Sequence, residues 1–152
     1  MTTAIRCVVD ASVGIKQFIP DPLSHKVNQL FAHLSYPQTK IFVPDLFYIE
    51  CANILWKCVR AKLYAAADVP ADLATLKTFP LSVVSNANLM EEAVNIGLAH
   101  GISAYDASYV ALSNQVGATL LTLDQRLVNA LANTNYDVCL FNNFEVPPLP
   151  SI

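Results

Sequence analysis

The chain predicts an α/β fold: a central, mostly parallel sheet with helices on both faces, an α/β/α sandwich of three layers. Three observations carry this. Short apolar runs alternate with stretches of helical character along the whole chain. The runs are continuous rather than alternating, as in Cys7-Val8-Val9 and Leu120-Leu121, which is how a strand buried on both faces reads. A length of 152 residues is that of one ordinary domain able to bury a proper core.

The elements follow in order. Residues 5–9 form a first buried strand, and a short helix starts at Ala11 and runs to about Phe18, where Pro20-Asp21-Pro22 breaks it. Residues 23–34 form a second helix, and Tyr36-Pro37-Gln38-Thr39 is a turn. Ile41-Phe42-Val43 is a strand stopped by Pro44, after which Asp45 is expected to cap a long helix reaching about Leu63. Residues 68–78 are helical and 81–84 a strand. Residues 89–100 form a helix closed by Gly101, and another opens at Ser103 and stops at Gly117. A strand over 118–121, a helix over 124–131 and a strand over 138–141 complete the set. The tail Val146-Pro147-Pro148-Leu149-Pro150 suits no regular element and is expected to fray. The organisation is thus one domain over 1–145 with a Pro-rich tail over 146–152, and no internal repeat.

Composition excludes several classes. At 54% hydrophobic and 14% charged, the chain is too apolar for disorder, and more apolar than one small domain needs, so a covered partner surface or a homodimer is expected. No run approaches the ~20 apolar residues that cross a bilayer. The start, Met1-Thr2-Thr3-Ala4-Ile5-Arg6, lacks the order of a signal peptide, and a cytoplasmic location is expected. A net charge of −3 argues against broad electrostatic capture of nucleic acid, although bound cations would reverse that potential locally. Cys7, Cys51, Cys58 and Cys139 form no CxxC pair and read as small buried hydrophobes; His25, His33 and His100 lack zinc-ligand spacing.

Four acids stand out. Asp10 ends the first strand, and Asp124 ends Leu120-Leu121-Thr122-Leu123, so both lie at the carboxyl end of a strand, where parallel sheets bind ligands. Asp106 opens a helix three residues after Ser103. Each of these three has an equal reading as a helix cap. Glu50 has no such reading. Projected at 100° per residue, Phe47, Cys51, Ile54, Leu55 and Cys58 form an apolar stripe, and Glu50 sits on its edge beside Leu46, Asn53 and Lys57, where it either covers the core with its stem or faces a site.

The conjunction carries more than any member. Carboxylates gathered in one crevice repel one another unless a cation neutralises them, and the oxygen donors suit Mg²⁺ or Mn²⁺, one or two ions. Such a site activates water for phosphodiester cleavage. The hydroxyls of Ser12 and Thr122 lie two residues from Asp10 and Asp124, and either assist there or hydrogen-bond the helix turns.

The motifs Val8-Val9-Asp10-Ala11-Ser12, the stretch from Pro44 to Asn53 around Glu50, Ser103-Ala104-Tyr105-Asp106-Ala107 and Leu121-Thr122-Leu123-Asp124-Gln125-Arg126-Leu127 resemble, in order, those of the PIN domain, and of the VapC-type toxins of bacterial toxin–antitoxin pairs in particular. The resemblance spans about residues 5 to 142. It implies an α/β/α sandwich and a Mg²⁺- or Mn²⁺-dependent endoribonuclease, usually a homodimer, with an antitoxin partner that inserts into the active-site groove. It places the family's four acidic positions on Asp10, Glu50, Asp106 and Asp124, and its small hydroxyl on Ser12. Asp10 and Asp124 are then the principal metal ligands and Asp106 the third, with Glu50 binding metal or orienting the attacking water. Some PIN proteins work outside such pairs, in RNA processing.

Few cations are available for RNA: Arg126, two positions after Asp124, and Lys57, two turns after Glu50, each equally readable as a solvated charge. The long helix is apolar on a second side through Ile49, Ala52, Trp56 and Leu63, which is expected either in the core or against a dimer or antitoxin partner. Rival phosphotransfer folds fit less well. A haloacid-dehalogenase-type phosphatase needs an acid where Ser12 stands, and a response-regulator receiver needs paired acids after its first strand. A non-catalytic metal- or RNA-binding module, with the acids as caps, is the remaining alternative.

Overall fold

The computed structural model describes residues 4–150. The first three residues and the last two, which belong to the readings of the N-terminal stretch and of the tail, lie outside the described residues. Five parallel strands, β1 (Arg6–Val9), β2 (Lys40–Pro44), β3 (Ser82–Val84), β4 (Thr119–Thr122) and β5 (Val138–Leu140), form one sheet in the order β3-β2-β1-β4-β5. Seven α-helices connect them: α1 (Ala11–Gly14), α2 (Ser24–Ala32), α3 (Leu46–Arg60), α4 (Val69–Leu76), α5 (Met90–His100), α6 (Ala104–Val116) and α7 (Gln125–Ala130). The α/β sandwich expected from the continuous apolar runs is therefore the fold.

The register explains those runs. Cys7, Val8 and Val9 pair with β4 on one side, and the first two also pair with β2 on the other, so the strand is central, and all three residues are at most 1% exposed. Leu120 and Leu121 are fully buried for the same reason. The chain winds outward from β1 through β2 to β3, then returns to start β4 on β1's other side. The order thus reverses between β1 and β4, and beyond their carboxyl ends a crevice opens. Helix α6 packs against β1, β2 and β4, and α5 packs on α6.

Several local expectations are corrected. The helix expected from Ala11 to Phe18 is α-helical only to Gly14 and continues as a 3-10 turn over Ile15–Gln17. Gly14 lies against Phe47 of α3, where a β-carbon would come within 2.6 Å of the ring. Asp45 does not cap α3 with its side chain. Its backbone is already helical (φ −50, ψ −34), and the acceptor for the Leu46 N–H is Asn86 Oδ1, at 3.3 Å, while Asp45 Oδ2 accepts from Asn86 N. Helix α3 ends at Arg60 rather than Leu63, because Lys62 adopts a left-handed conformation (φ 60) that lets Leu63 N donate back to Cys58 O. The tail joins no regular element but does not fray. His33 Nε2 donates to the Pro147 carbonyl at 2.8 Å and the Tyr36 hydroxyl to that of Pro150 at 3.2 Å, tying it to the end of α2. All four cysteines are free; Cys7 and Cys51 are buried, Cys58 and Cys139 only partly.

Candidate active site

A crevice of about 870 Å³ opens at the switch point between β1 and β4, and Asp10, Glu50, Asp106 and Asp124 all line it. Each comes from a different segment. Asp10 follows β1, Glu50 lies in the second turn of α3, Asp106 in the first turn of α6, and Asp124 just beyond β4.

Asp10 is the most enclosed. Its Oδ1 accepts from the Ser12 hydroxyl at 2.5 Å and from Val13 N at 3.2 Å, and its Oδ2 from the Thr122 hydroxyl. The same hydroxyls tie the two strand ends together, since Ser12 Oγ accepts from Leu123 N at 3.0 Å and Thr122 Oγ1 from Asp124 N at 3.0 Å. Burial pushes the Asp10 carboxyl up to about 6, against these lowering hydrogen bonds and with a further push from Asp106.

The remaining acids share this field. Burial and then the Asp106 charge raise Glu50, offset in part by a hydrogen bond from Tyr109. Burial and then the Asp124 charge raise Asp106. The four carboxylates are thus linked in pairs by repulsion, which a cation would relieve.

Cap and crevice residue prove to be compatible descriptions. Asp10 caps α1, and Asp124 caps α7 by accepting from Arg126 N at 3.0 Å and Leu127 N at 3.3 Å through Oδ1 alone. For Asp106, the Ser103 hydroxyl accepts its N–H at 3.1 Å. Lys57 reaches the crevice wall, whereas Arg126 is exposed and does not line it. Ile49 and Trp56 also line it, 66% and 55% exposed, so the second apolar side of α3 faces outward rather than into the core.

Sequence reasoning passed over Tyr109. It is 2% exposed, lines the crevice and donates its hydroxyl to Glu50 Oε1 at 2.5 Å. Its spacing, three residues after Asp106 and so on the same helix face, was the available signal.

Divalent cations with a preference for oxygen fit this donor set. Among the described residues, no three histidine, cysteine, aspartate or glutamate side chains close around a single point. An ion here would take one or two carboxylates directly and keep several waters, as Mg²⁺ commonly does.

The fold and crevice define an α/β protein whose acidic site lies at the carboxyl edge of an all-parallel sheet. A family model described as PIN domain matches residues 7–131, and the chain belongs to that family. It is 34% identical over 125 residues to a protein named Ribonuclease VapC3 from Pyrobaculum aerophilum, covering 81% of this chain and 92% of that relative. Its fold is similar to the crystal structure of PAE2754 from the same organism, with a TM-score of 0.64 and 24% identity over 92% of this chain and 93% of that one. It is also similar to a chain of a toxin–antitoxin complex from Klebsiella pneumoniae, with a TM-score of 0.56 and 13% identity over 88% and 96% of the two chains.

Proposed function

We propose that this protein is a Mg²⁺- or Mn²⁺-dependent endoribonuclease acting through Asp10, Glu50, Asp106 and Asp124, and the toxin of a toxin–antitoxin pair. The observation that carries the reading is the crevice itself, where four mutually repelling carboxylates from four segments face one space at the switch point. A relative named as a ribonuclease supports RNA as the substrate.

A bound divalent ion supplies neutralisation of these charges, a more acidic water and polarisation of the phosphate. The chain's part is positioning. Asp10 and Asp124 are held by hydroxyl and backbone donors that leave acceptor sites free on both carboxylates. Asp106 would serve as the third ligand through one of the ion's waters, and Glu50 would bind the ion or orient the attacking water. Lys57, on the wall, meets the RNA backbone, and Arg126 contributes from outside the crevice.

Two exposed apolar stripes support partners. Ile49 and Trp56 border the crevice and suit an antitoxin segment entering it, while Met90, Val94 and Leu98 on α5 follow helical spacing and suit a homodimer. Residues 1–145 would then act as one nuclease domain, with the tail strapped to α2, in the cytoplasm. No helix among the described residues is long and apolar enough to cross a membrane.

The test is cleavage of a structured RNA by the purified protein with Mg²⁺ or Mn²⁺, against EDTA and Asp10→Asn. Loss of cleavage in both controls is expected. Unchanged cleavage by Asp10→Asn refutes the site, and no cleavage with either metal counts against the nuclease.

A further inference from the structure

We propose that Tyr109 is a positioning residue for Glu50: its hydroxyl holds one carboxylate oxygen so that the other is presented to the crevice. The proposal rests on the nuclease reading above and concerns how its fourth acid is aimed.

Three features carry it. The hydroxyl donates to Glu50 Oε1 at 2.5 Å, the length of a strong bond to a charged acceptor, and spans 59 residues of chain between α6 and α3. The ring is 2% exposed and locked in the core, while Glu50 is a long side chain on the crevice rim, so the rigid partner orders the flexible one. Asp106 stands three residues before Tyr109, so α6 both supplies one acid to the crevice and aims a second from the facing helix. A buried phenol needs some acceptor, and a backbone carbonyl would serve for packing alone. Here the acceptor is a crevice carboxylate.

Removing such an outer partner costs about 10- to 100-fold in metal affinity at other metal sites. Tyr109→Phe keeps the ring and removes only the hydroxyl. Mn²⁺ titrated calorimetrically into metal-free protein is expected to bind this variant about 10- to 100-fold more weakly than wild type. RNA cleavage should require correspondingly more Mn²⁺, recover at saturating metal, and keep its KM for RNA. In a Glu50→Gln background, Tyr109→Phe should have no further effect on Mn²⁺ binding.

Wild-type Mn²⁺ affinity in folded Tyr109→Phe overturns the proposal, as does an equal loss in the Glu50→Gln background. Should Tyr109→Phe fail to fold, Glu50→Asp serves instead, since it withdraws the carboxylate from the hydroxyl; wild-type Mn²⁺ affinity there overturns the proposal too. Wild-type protein that neither binds Mn²⁺ nor cleaves RNA refutes the nuclease reading and this one together, whereas failure of the variants alone refutes only the role of Tyr109.

Discussion

Asp10→Asn should abolish activity and yet stabilise the metal-free protein. Burial holds the Asp10 carboxyl at about 6, against 3.8 ordinarily, a gap worth about 3 kcal/mol. Between those two values the folded chain binds more protons at this position than the unfolded chain. Stability therefore falls as pH rises through the window, and the full cost is present above about pH 6. An amide removes that cost. It also turns one acceptor into a donor facing either Ser12 or Thr122, whose hydroxyls donate to Asp10 and already accept from Leu123 N and Asp124 N, a mismatch worth about 1 kcal/mol. The net gain at pH 7.5 is about 2 kcal/mol, or about 4–8 °C in melting temperature for a chain of this size. At pH 4.5 wild-type Asp10 is already protonated when folded, the charge penalty drops to about 1 kcal/mol, and the two proteins should melt together. Scanning calorimetry in EDTA at both pH values measures this. With Mn²⁺ at pH 7.5 the order should narrow or reverse, since a ligand that binds only the folded wild type stabilises it by mass action. A variant melting no higher than wild type at pH 7.5, with the same difference at pH 4.5, refutes the burial penalty assigned to Asp10.

Two further substitutions probe how the scaffold sets the site. Gly14→Ala places a β-carbon within 2.6 Å of the fully buried Phe47 ring, one turn before Glu50, and is expected to cost about 1–3 kcal/mol in urea unfolding and to lower cleavage by displacing α3. Asn86→Ala removes the acceptor for Leu46 N at the start of α3; a loss of about 1 kcal/mol is expected by the same measurement, and a wild-type midpoint would show that the cap contributes nothing.

Most of the fold was legible because a strand buried on both faces must be apolar throughout, as β1 and β4 are at the centre of the sheet, while the short apolar runs of β3 and β5 became its partly buried edges. What was missed depends on partners far along the chain. The Asn86 cap is 40 residues from Leu46, and the tail is held by His33 and Tyr36 from 114 residues away. Asp45 met every local criterion for a cap, yet its backbone was already helical and its carboxylate turned toward Asn86 N. Tyr109 escaped for a similar reason. An aromatic on the apolar face of a helix looks like core, and its ring is core; only the hydroxyl belongs to the site, and its partner is on another helix.

The acids at the strand ends posed the opposite difficulty, because one local pattern satisfied two interpretations at once. A carboxylate has two oxygens, and the structure uses them differently. In Asp124 a single oxygen accepts both backbone N–H groups of the following helix, which fixes the side-chain rotamer and leaves the other oxygen unengaged by α7. In Asp10 one oxygen takes the α1 cap and the Ser12 hydroxyl, while the other is reached by Thr122 from across the switch point. Capping is therefore the means by which these carboxylates are aimed. Weighing cap against site residue by residue could not separate the two, since the physical act that makes Asp10 or Asp124 a cap is also the one that holds it at the crevice.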